Sequence, residues 1–322
     1  MEWCEGVRYA CFGGGGVHGF CFLGACMHLE SRCDWSAFCS RLLGATGSSV
    51  GSLFALLLVC GASPHRVMAE WPSGGFVKVA TQFDPSRLYN EFGLDKGDEL
   101  RRIIHFTMSL CGVSGDVTLE GLHRLIGKRL VVCCTKLDEA RRVCMDHASH
   151  PDVRVADALY MSMTLPVLVR PMECDGSIMV DGCMTCVVPG DVFPPRETLC
   201  LRITDRGGMP PRAVCRFAHF AYALLKCNFV NQERLGSEHD DAFALSLRIP
   251  VPSTHNFDLS LDADTVRDLS RCGHAVALGA LHPGLHEAIG GLSRILGVGA
   301  AALGEPPHAT VDGACGIRTE ME

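Results

Sequence analysis

A serine in a glycine-rich turn is the first candidate for chemistry. Residues 47 to 51 read GSSVG and match G-x-S-x-G, the spacing of a nucleophilic serine at a sharp turn between a strand and a helix. Such a turn strains the serine backbone and exposes its hydroxyl, and the flanking glycines, Gly47 and Gly51, relieve crowding. The spacing selects Ser49 rather than Ser48. The alternative is a helix start rich in glycine and serine, without chemistry.

A nucleophilic serine needs a base that removes its proton, and two arrangements are open. In the order serine, acid, histidine of the α/β-hydrolases, His255 and His274 come late enough in the chain. Each of them also fits an ordinary surface or core histidine. Alternatively, Asp181 in the segment MVDGCM follows a predicted strand and could act directly on Ser49 in a two-residue site. Asp181 also fits a plain turn residue of an Asp-Gly pair.

The glycine run in YACFGGGGVHGF, residues 9 to 20, admits two kinds of anion site. Gly14, Gly16 and Gly19 match G-x-G-x-x-G, and Asp34 follows about twenty residues after Gly14, which is the dinucleotide-binding pattern. In the other interpretation, the N–H groups of Gly14, Gly15 and Gly16 form an oxyanion hole for acyl transfer. Only the second interpretation gives the GSSVG and MVDGCM segments a role, and we favour it.

The predicted elements place these segments at strand ends. Strands alternate with helices along the chain, which predicts an α/β fold: a three-layer α/β/α sandwich with a mostly parallel central sheet. The strands are predicted at 7–12, 41–46, 129–137, 141–147, 198–204 and 244–250. The helices are predicted at 17–30, 51–60, 97–111, 152–163, 212–229 and 263–281.

Composition and charge narrow the range of partners. The chain of 322 residues is 48% hydrophobic and has a formal net charge of −7. It has no run rich in lysine and arginine, so we expect neither nucleic acid nor a basic membrane patch. The uncharged stretch between Arg41 and Arg66 is long enough for a membrane span. Its glycines and serines favour a buried strand, a tight turn and a buried helix instead.

The 19 cysteines and the first residues bear on the compartment. An odd number of cysteines scattered along a long chain is typical of reduced thiols in a cytosolic protein. The start, MEWCEGVRYA, carries Glu2 and Glu5 where a secretory signal peptide has basic residues. We therefore expect a cytoplasmic protein, or one lying peripherally on membranes or lipid droplets.

A zinc site is a weaker hypothesis. Cys183 and Cys186 form a C-x-x-C pair, and His147 and His150 form an H-x-x-H pair. Structural zinc needs four ligands at suitable spacing, and such pairs arise by chance in a chain this rich in cysteine. We expect no metal and no other cofactor.

Four segments together resemble the patatin-like phospholipases. Gly14, Gly15, Gly16 and Gly19 are similar to the family's G-G-G-x-[RK]-G motif, GSSVG to its nucleophile turn, and VDGC to its D-G-[GA] motif. VADALYMSMTLPVLVRPM is similar to the family's A-x-x-A-S-x-x-x-P-x-x-F-x-P segment. The order and spacing agree over residues 7–195. The overall character of the sequence, including the segment FGLDKGDELRRII, resembles patatin-like proteins from large DNA viruses.

The resemblance implies a patatin-like fold and hydrolysis of lipid esters. Ser49 would be the nucleophile, Asp181 the base, and the N–H groups of Gly14, Gly15 and Gly16 the oxyanion hole. The supporting motif residues would be His18, Gly19, Gly47, Gly51 and Gly182. The implied partners are a lipid substrate and, transiently, a membrane surface. The alternative is a catalytically weak module that binds lipid or a protein partner.

The resemblance also implies a division of the chain. Residues 7–195 would form the patatin-like domain, and residues 196–322 an α/β extension packed on it, with a flexible tail from about 283.

An acyl pocket near Ser49 has three apolar candidates. They are Leu53, Phe54 and Leu165, and each of them would also fit a plain role in the core.

Three departures from the family pattern stand near the predicted site. His18 replaces the usual Arg or Lys, which would make the loop charge depend on pH. Cys183 replaces a small Gly or Ala and adds bulk beside the base. Val187 and Val188 stand where Asn is common, which would remove hydrogen bonds that support the loop after Asp181.

Overall fold

The fold is that of a computed structural model, which describes residues 4–71, 77–78, 84–205, 217–236, 242–251, 260–261 and 263–282. The predicted tail from 283 and the candidate base His255 lie outside these residues.

Strands and helices alternate along the described chain. The strands are β1 Tyr9–Phe12, β2 Gly44–Ser48, β3 Val77–Lys78, β4 Gly93–Asp95, β5 Arg129–Lys136, β6 Arg141–Met145, β7 Val167–Val169, β8 Met172–Cys174, β9 Ser177–Asp181, β10 Thr198–Asp205, β11 Leu245–Val251 and β12 Ser260–Leu261. The helices are α1 Phe20–Glu30, α2 Trp35–Arg41, α3 Val50–Val59, α4 Pro64–Glu70, α5 Pro85–Glu91, α6 Asp98–Leu110, α7 Leu119–Ile126, α8 Val155–Met163, α9 Phe217–Gly236 and α10 Ala263–Leu281.

A mostly parallel sheet lies at the centre. Within the described residues it has eight strands, and five of them run parallel in the order β11-β10-β1-β2-β5. Strands β6 and β9 pair antiparallel with β5, and β8 pairs antiparallel with β9. The middle strands are buried on both faces, as parallel strands between helix layers are. The predicted α/β class with a mostly parallel sheet is confirmed.

One local prediction is confirmed by the structure, and a helix cap and a hairpin turn also have the geometry that their residues favour. The uncharged stretch between Arg41 and Arg66 holds β2, a tight turn and α3, as its glycines and serines indicated. Ser63 caps α4, and Pro64 takes the first turn of that helix. Asp175 and Gly176 both have positive φ in the two-residue turn between β8 and β9, which is the geometry of a tight hairpin. Among the helices that the structure describes, none combines the length and apolar character of a membrane span.

Other elements differ from the predictions. The predicted helix 17–30 begins with a 3₁₀ turn at Gly16–Gly19, and α1 follows only at Phe20. The short α2, capped by the side chain of Asp34, was not predicted. Asp34 accepts the N–H of Ala37, so a helix cap accounts for the residue that completed the dinucleotide pattern.

Residues beyond 195 continue the same sheet. Strand β10 pairs with β1 along Thr198–Leu201, and β11 pairs with β10. Helix α10 packs closely on α1: a Cβ atom at Gly24 would lie 1.8 Å from the carbonyl oxygen of Ser270, and one at Gly273 would lie 1.8 Å from that of Cys21. The predicted boundary near 195 therefore falls between two strands of one sheet.

Candidate active site

The connection between β2 and α3 carries Ser49 in a strained conformation. Ser49 has φ 53° and ψ −133°, which a residue with a side chain rarely adopts. A Cβ atom at Gly47 would lie 2.3 Å from the backbone of Gly51, and one at Gly51 would lie 2.4 Å from the carbonyl oxygen of Gly13. Both glycines are therefore required by backbone contacts. The local sequence has the sharp turn that G-x-S-x-G indicates.

The pairing of β5 brings Ser49 and Asp181 together. Along one edge of β5, Cys133 pairs with Ser48 at the end of β2, and the next residue, Cys134, pairs with Asp181 at the end of β9. The Ser49 hydroxyl donates a hydrogen bond to Asp181 Oδ2 at 2.7 Å, across 132 positions of sequence. A serine hydroxyl in this contact with a carboxylate has the geometry that a nucleophile and its base require.

Asp181 lies in a dry setting that makes its carboxylate a better base. Its side chain is fully buried, and Oδ1 accepts the N–H of Cys183 at 2.8 Å. Burial raises the pKa of Asp181 from 3.8 to about 6, while the hydrogen bonds from Ser49 and Cys183 act in the lowering direction. The group is therefore mostly ionised at neutral pH and able to accept a proton.

Three residues that the sequence analysis did not name hold the pair in place. The Ser162 hydroxyl accepts the N–H of Ser49 at 2.9 Å and donates to the carbonyl of Cys133 at 2.7 Å. The carbonyl of Thr164 accepts the N–H of Asp181. The Thr135 hydroxyl donates to the carbonyl of Asp181 at 2.9 Å. Ser162 and Thr164 lie in the VADALYMSMTLPV segment, and its resemblance to the family pattern could have pointed to them. No sequence pattern pointed to Thr135.

The N–H of Gly14, one of the three predicted oxyanion donors, already has a backbone partner. It donates to the carbonyl oxygen of Val187 at 2.9 Å, so this N–H is already engaged and is not a free oxyanion donor. A Cβ atom at Gly14 would lie 2.0 Å from Cys183 Sγ and 3.4 Å from Ser49 Cβ. Gly14 leaves the space that the Cys183 thiol fills beside the serine.

The rest of the glycine loop leads through a 3₁₀ turn into α1. Gly15 has an extended φ of 168°, and Gly16 has a φ of +55° that favours glycine. Both the N–H and the ring Nδ1 of His18 lie within hydrogen-bond distance of the Gly15 carbonyl, at 3.1 and 3.2 Å. A Cβ atom at Gly19 would lie 2.7 Å from the Val50 side chain. His18 and Gly19 thus hold the loop against the start of α3.

The loop after Asp181 is supported from another element. A Cβ atom at Gly182 would lie 2.2 Å from the carbonyl oxygen of Cys133, so the chain passes close to β5 here. In place of the asparagines expected at 187 and 188, the Asn228 amide of α9 donates to the carbonyl of Met184 at 3.0 Å. Val187 contributes its carbonyl to Gly14 instead of a side chain.

A cavity of about 170 Å³ opens beside the serine and aspartate. Its walls are mainly apolar and include Leu53, Phe54 and Leu165, for which the sequence left an acyl pocket and a plain core role open. Ser49 and Asp181 both line it. The cavity can accept hydrocarbon and brings it to the hydroxyl.

The remaining candidate residues lie elsewhere. His274 of α10 contacts His28 of α1, with 3.3 Å between the Nε2 and Nδ1 atoms, and does not line the cavity. His147 stacks on His123, and Cys186 accepts a hydrogen bond from Arg142. Within the described residues, no group of three or more His, Cys, Asp or Glu side chains could hold a metal ion.

Comparison with known proteins identifies the family of this chain. The family model for patatin-like phospholipases matches residues 10–191. Uncharacterized protein R571 of Acanthamoeba polyphaga mimivirus is 24% identical over 190 residues, which cover 58% of this chain and 61% of that protein. The chain thus spans about three fifths of that relative's length, and the similarity agrees with the expected resemblance to large-DNA-virus members.

Two solved structures match this chain, and the first of them is similar in fold. VipD from Legionella pneumophila has a TM-score of 0.55 at 15% identity, over 87% of this chain and 67% of that chain. The type III effector protein ExoU has a TM-score of 0.42 at 15% identity, over 86% of this chain and 53% of that chain. The family model covers more than half of the chain, including the glycine loop, Ser49 and Asp181. The chain belongs to the patatin-like phospholipase family.

Proposed function

We propose that this protein is a serine esterase that hydrolyses carboxylic ester bonds of phospholipids or other glycerolipids. The observation that carries the proposal is the 2.7 Å hydrogen bond from the Ser49 hydroxyl to the buried Asp181 carboxylate, at the wall of an apolar cavity. Family membership supports the lipid class of the substrate. No cofactor is needed for this chemistry.

The first half of the reaction forms an acyl-enzyme. Asp181 takes the hydroxyl proton while Ser49 Oγ attacks the ester carbonyl carbon. The resulting oxyanion accepts hydrogen bonds from the N–H groups of Gly15 and Gly16, and Gly14 only provides space. Loss of one such donor typically costs about 10²–10³ in rate. When the tetrahedral intermediate collapses, the leaving alkoxide takes the proton from Asp181 and departs as an alcohol.

The second half returns the enzyme to its starting state. Asp181 removes a proton from a water molecule, whose oxygen attacks the acyl carbonyl carbon. Collapse of this second intermediate breaks the bond to Ser49 Oγ, which recovers its proton from Asp181, and a fatty acid leaves. The same carboxylate serves as base and acid in both halves.

The test compares three variants on p-nitrophenyl butyrate and on phospholipid in mixed micelles. We expect Ser49→Ala and Asp181→Asn to abolish turnover of both substrates while the melting transition persists. Ser48→Ala is the matched control and should retain turnover, because Ser48 ends β2 and its hydroxyl lies 3.6 Å from Cys183 Sγ rather than at Asp181.

Three outcomes would contradict the proposal. Turnover that survives Ser49→Ala but is lost in Ser48→Ala would show that the nucleophile is Ser48 and not Ser49. A wild-type protein without turnover on any lipid ester, but with measurable binding to vesicles, would favour a lipid-binding module instead. Thermal stabilisation by NAD(P) would favour the dinucleotide interpretation.

A further inference from the structure

Two cysteines face each other on neighbouring strands of the central sheet. Cys133 of β5 and Cys144 of β6 are directly opposite residues in the antiparallel pairing, and their sulfur atoms lie 3.5 Å apart. Opposite residues of antiparallel strands have Cα atoms about 4.5–5.5 Å apart, which is within the range that a disulfide spans. The two thiols can therefore be joined without a large movement of the backbone.

We propose that Cys133 and Cys144 form a disulfide when the protein meets a hydroperoxide, and that this modification slows hydrolysis at Ser49. The modification itself does not depend on the proposed esterase function. Its effect on hydrolysis rests on that function.

Cys144 has the surroundings of a reactive thiol. It is half-buried, whereas Cys133 is fully buried, so an oxidant reaches Cys144 first. The hydrogen bond with Cys133 lowers the pKa of Cys144 to about 7, and the charge of Arg142 acts in the same direction. Burial and the carboxylates of Asp191 and Asp146 oppose this lowering of the pKa. At neutral pH a substantial share of Cys144 is therefore thiolate, the form that reacts with peroxides.

The oxidation has two balanced steps. The Cys144 thiolate attacks the terminal oxygen of the hydroperoxide, the O–O bond breaks, Cys144 becomes a sulfenic acid, and the leaving alkoxide takes a proton from solvent. The Cys133 sulfur then attacks the Cys144 sulfur, and the sulfenic oxygen leaves as water with the Cys133 proton. Two thiols are oxidised to one disulfide, and the hydroperoxide is reduced to an alcohol and water.

The backbone of Cys133 carries contacts that hold Ser49. Its carbonyl accepts the Ser162 hydroxyl at 2.7 Å, and that hydroxyl accepts the N–H of Ser49 at 2.9 Å. A Cβ atom at Gly182 would lie 2.2 Å from the same carbonyl. A disulfide shortens the distance between the sulfurs from 3.5 Å to about 2.0 Å. It therefore draws Cys133 toward β6 and away from the edge of β5 that carries β2 and β9.

The experiment treats the reduced full-length protein with hydrogen peroxide and follows its thiols and its turnover together. Peptide mapping under non-reducing conditions identifies the joined cysteines, and p-nitrophenyl butyrate reports turnover before and after dithiothreitol. The proteins are the wild type, Cys144→Ser and Cys60→Ser. Cys60→Ser is the matched control, because it removes a half-buried thiol of another hydrogen-bonded pair, that of Cys60 with Cys111. Neither of these two belongs to the described lining of the cavity.

We expect peroxide to join Cys133 and Cys144 in the wild type and to lower kcat about tenfold or more, because a displacement of about 1 Å at an active site can cost about 10² in rate. Dithiothreitol should restore the rate. Cys144→Ser should keep its turnover before and after peroxide, and Cys60→Ser should respond as the wild type does. A map without this disulfide, or an equal loss of turnover in Cys144→Ser, would overturn the proposal. A disulfide that leaves turnover unchanged would overturn its effect on hydrolysis.

The peptide map separates this inference from the proposed function, and it needs no variant. A Cys133–Cys144 disulfide in a wild-type protein that turns over no ester would support the modification while the esterase proposal fails. A wild-type esterase that keeps both thiols free in peroxide would refute the modification and leave the esterase proposal standing.

Discussion

Among single residues, Asp181 meets two opposed requirements. Its complete burial raises the pKa of the carboxyl to about 6, which makes the carboxylate a stronger base toward the Ser49 hydroxyl. The same burial penalises the charged form in the folded state. Catalytic usefulness and folding stability therefore pull in opposite directions at this position, and each can be measured separately.

The pH dependence of hydrolysis should reveal this carboxylate. Because Asp181 must be ionised to accept a proton, kcat/KM for p-nitrophenyl butyrate should rise with pH through about 6 and then level off. Initial rates between pH 4.5 and 8 measure the midpoint. A midpoint near 4, the ordinary range of an exposed aspartate, would contradict the desolvated setting described for the group.

The stability of Asp181→Asn should depend on pH in the corresponding sense. Between the unfolded pKa of 3.8 and the folded pKa of about 6, the native protein binds more protons than the unfolded chain. This group therefore makes stability fall as pH rises through that window. At pH 8, Asp181→Asn should be more stable than the wild type by up to about 3 kcal/mol, and the difference should shrink as pH falls from 6 toward 4.

Urea unfolding at pH 8 and at pH 4.5 measures this difference. Asp146→Asn is a control of opposite sign. Burial acts to raise the pKa of Asp146, but hydrogen bonds from Ser149 and Arg129 lower it below its usual range. Asp146→Asn should therefore lose stability at pH 8. An Asp181→Asn variant that is less stable than the wild type at pH 8 would contradict the argument.

Between elements, the glycine loop and the loop after Asp181 are shaped to each other. The Cys183 thiol occupies the space that a side chain at Gly14 would need, and the Gly14 N–H is bonded to the Val187 carbonyl. The residues that depart from the family pattern at 183 and 187 are thus part of one packed contact. This contact positions the loop whose Gly15 and Gly16 N–H groups we propose as oxyanion donors.

A double-mutant cycle tests this contact. Gly14→Ala alone should cost about 1–3 kcal/mol from overpacking and should impair hydrolysis, since its Cβ would lie 2.0 Å from Cys183 Sγ. In the Cys183→Ala background, the nearest remaining neighbour would be Ser49 Cβ at 3.4 Å, and most of the cost should disappear. Urea midpoints and esterase rates of the four proteins give the coupling. Additive effects would contradict the packing described here.

For the molecule as a whole, the sheet order makes strands β10 and β11 part of the same core as the residues before 195. Strand β1 has β2 on one side and β10 on the other, and Ala10, Cys11 and Phe12 are fully buried. Helix α10 closes over α1 with backbone contacts that only glycine permits at positions 24 and 273. The family match ends at 191, but the folded unit continues past it.

A chain that ends at residue 195 should therefore fail to fold cooperatively. It would retain the whole family match, but it would expose the edge of β1 and the α1 surface that α10 covers, and an unpaired apolar edge favours aggregation. Soluble yield, circular dichroism and thermal melting of the 1–195 and full-length chains measure the effect. A soluble 1–195 chain with an unchanged cooperative transition would show that the segment after 195 is an independent addition.

The sequence by itself determined what depends on short-range spacing. The turn at Ser49 follows from Gly47 and Gly51, because these small residues are required within a few positions of the serine. The order of strands and helices follows from local apolar patterns, and the motif order pointed to Asp181 through family resemblance. The turn and the element order depend on neighbouring residues, and the motif order can be read along the chain, so the sequence is enough to predict them.

Only the tertiary structure decided which groups meet across the fold. Strand β9 pairs with β5 directly after β2 ends, and this places Asp181 beside Ser49. The engagement of the Gly14 N–H and the support from Ser162 and Asn228 have the same origin. Each is a contact between segments far apart in sequence, set by strand register and helix packing, and no local pattern encodes such a distance.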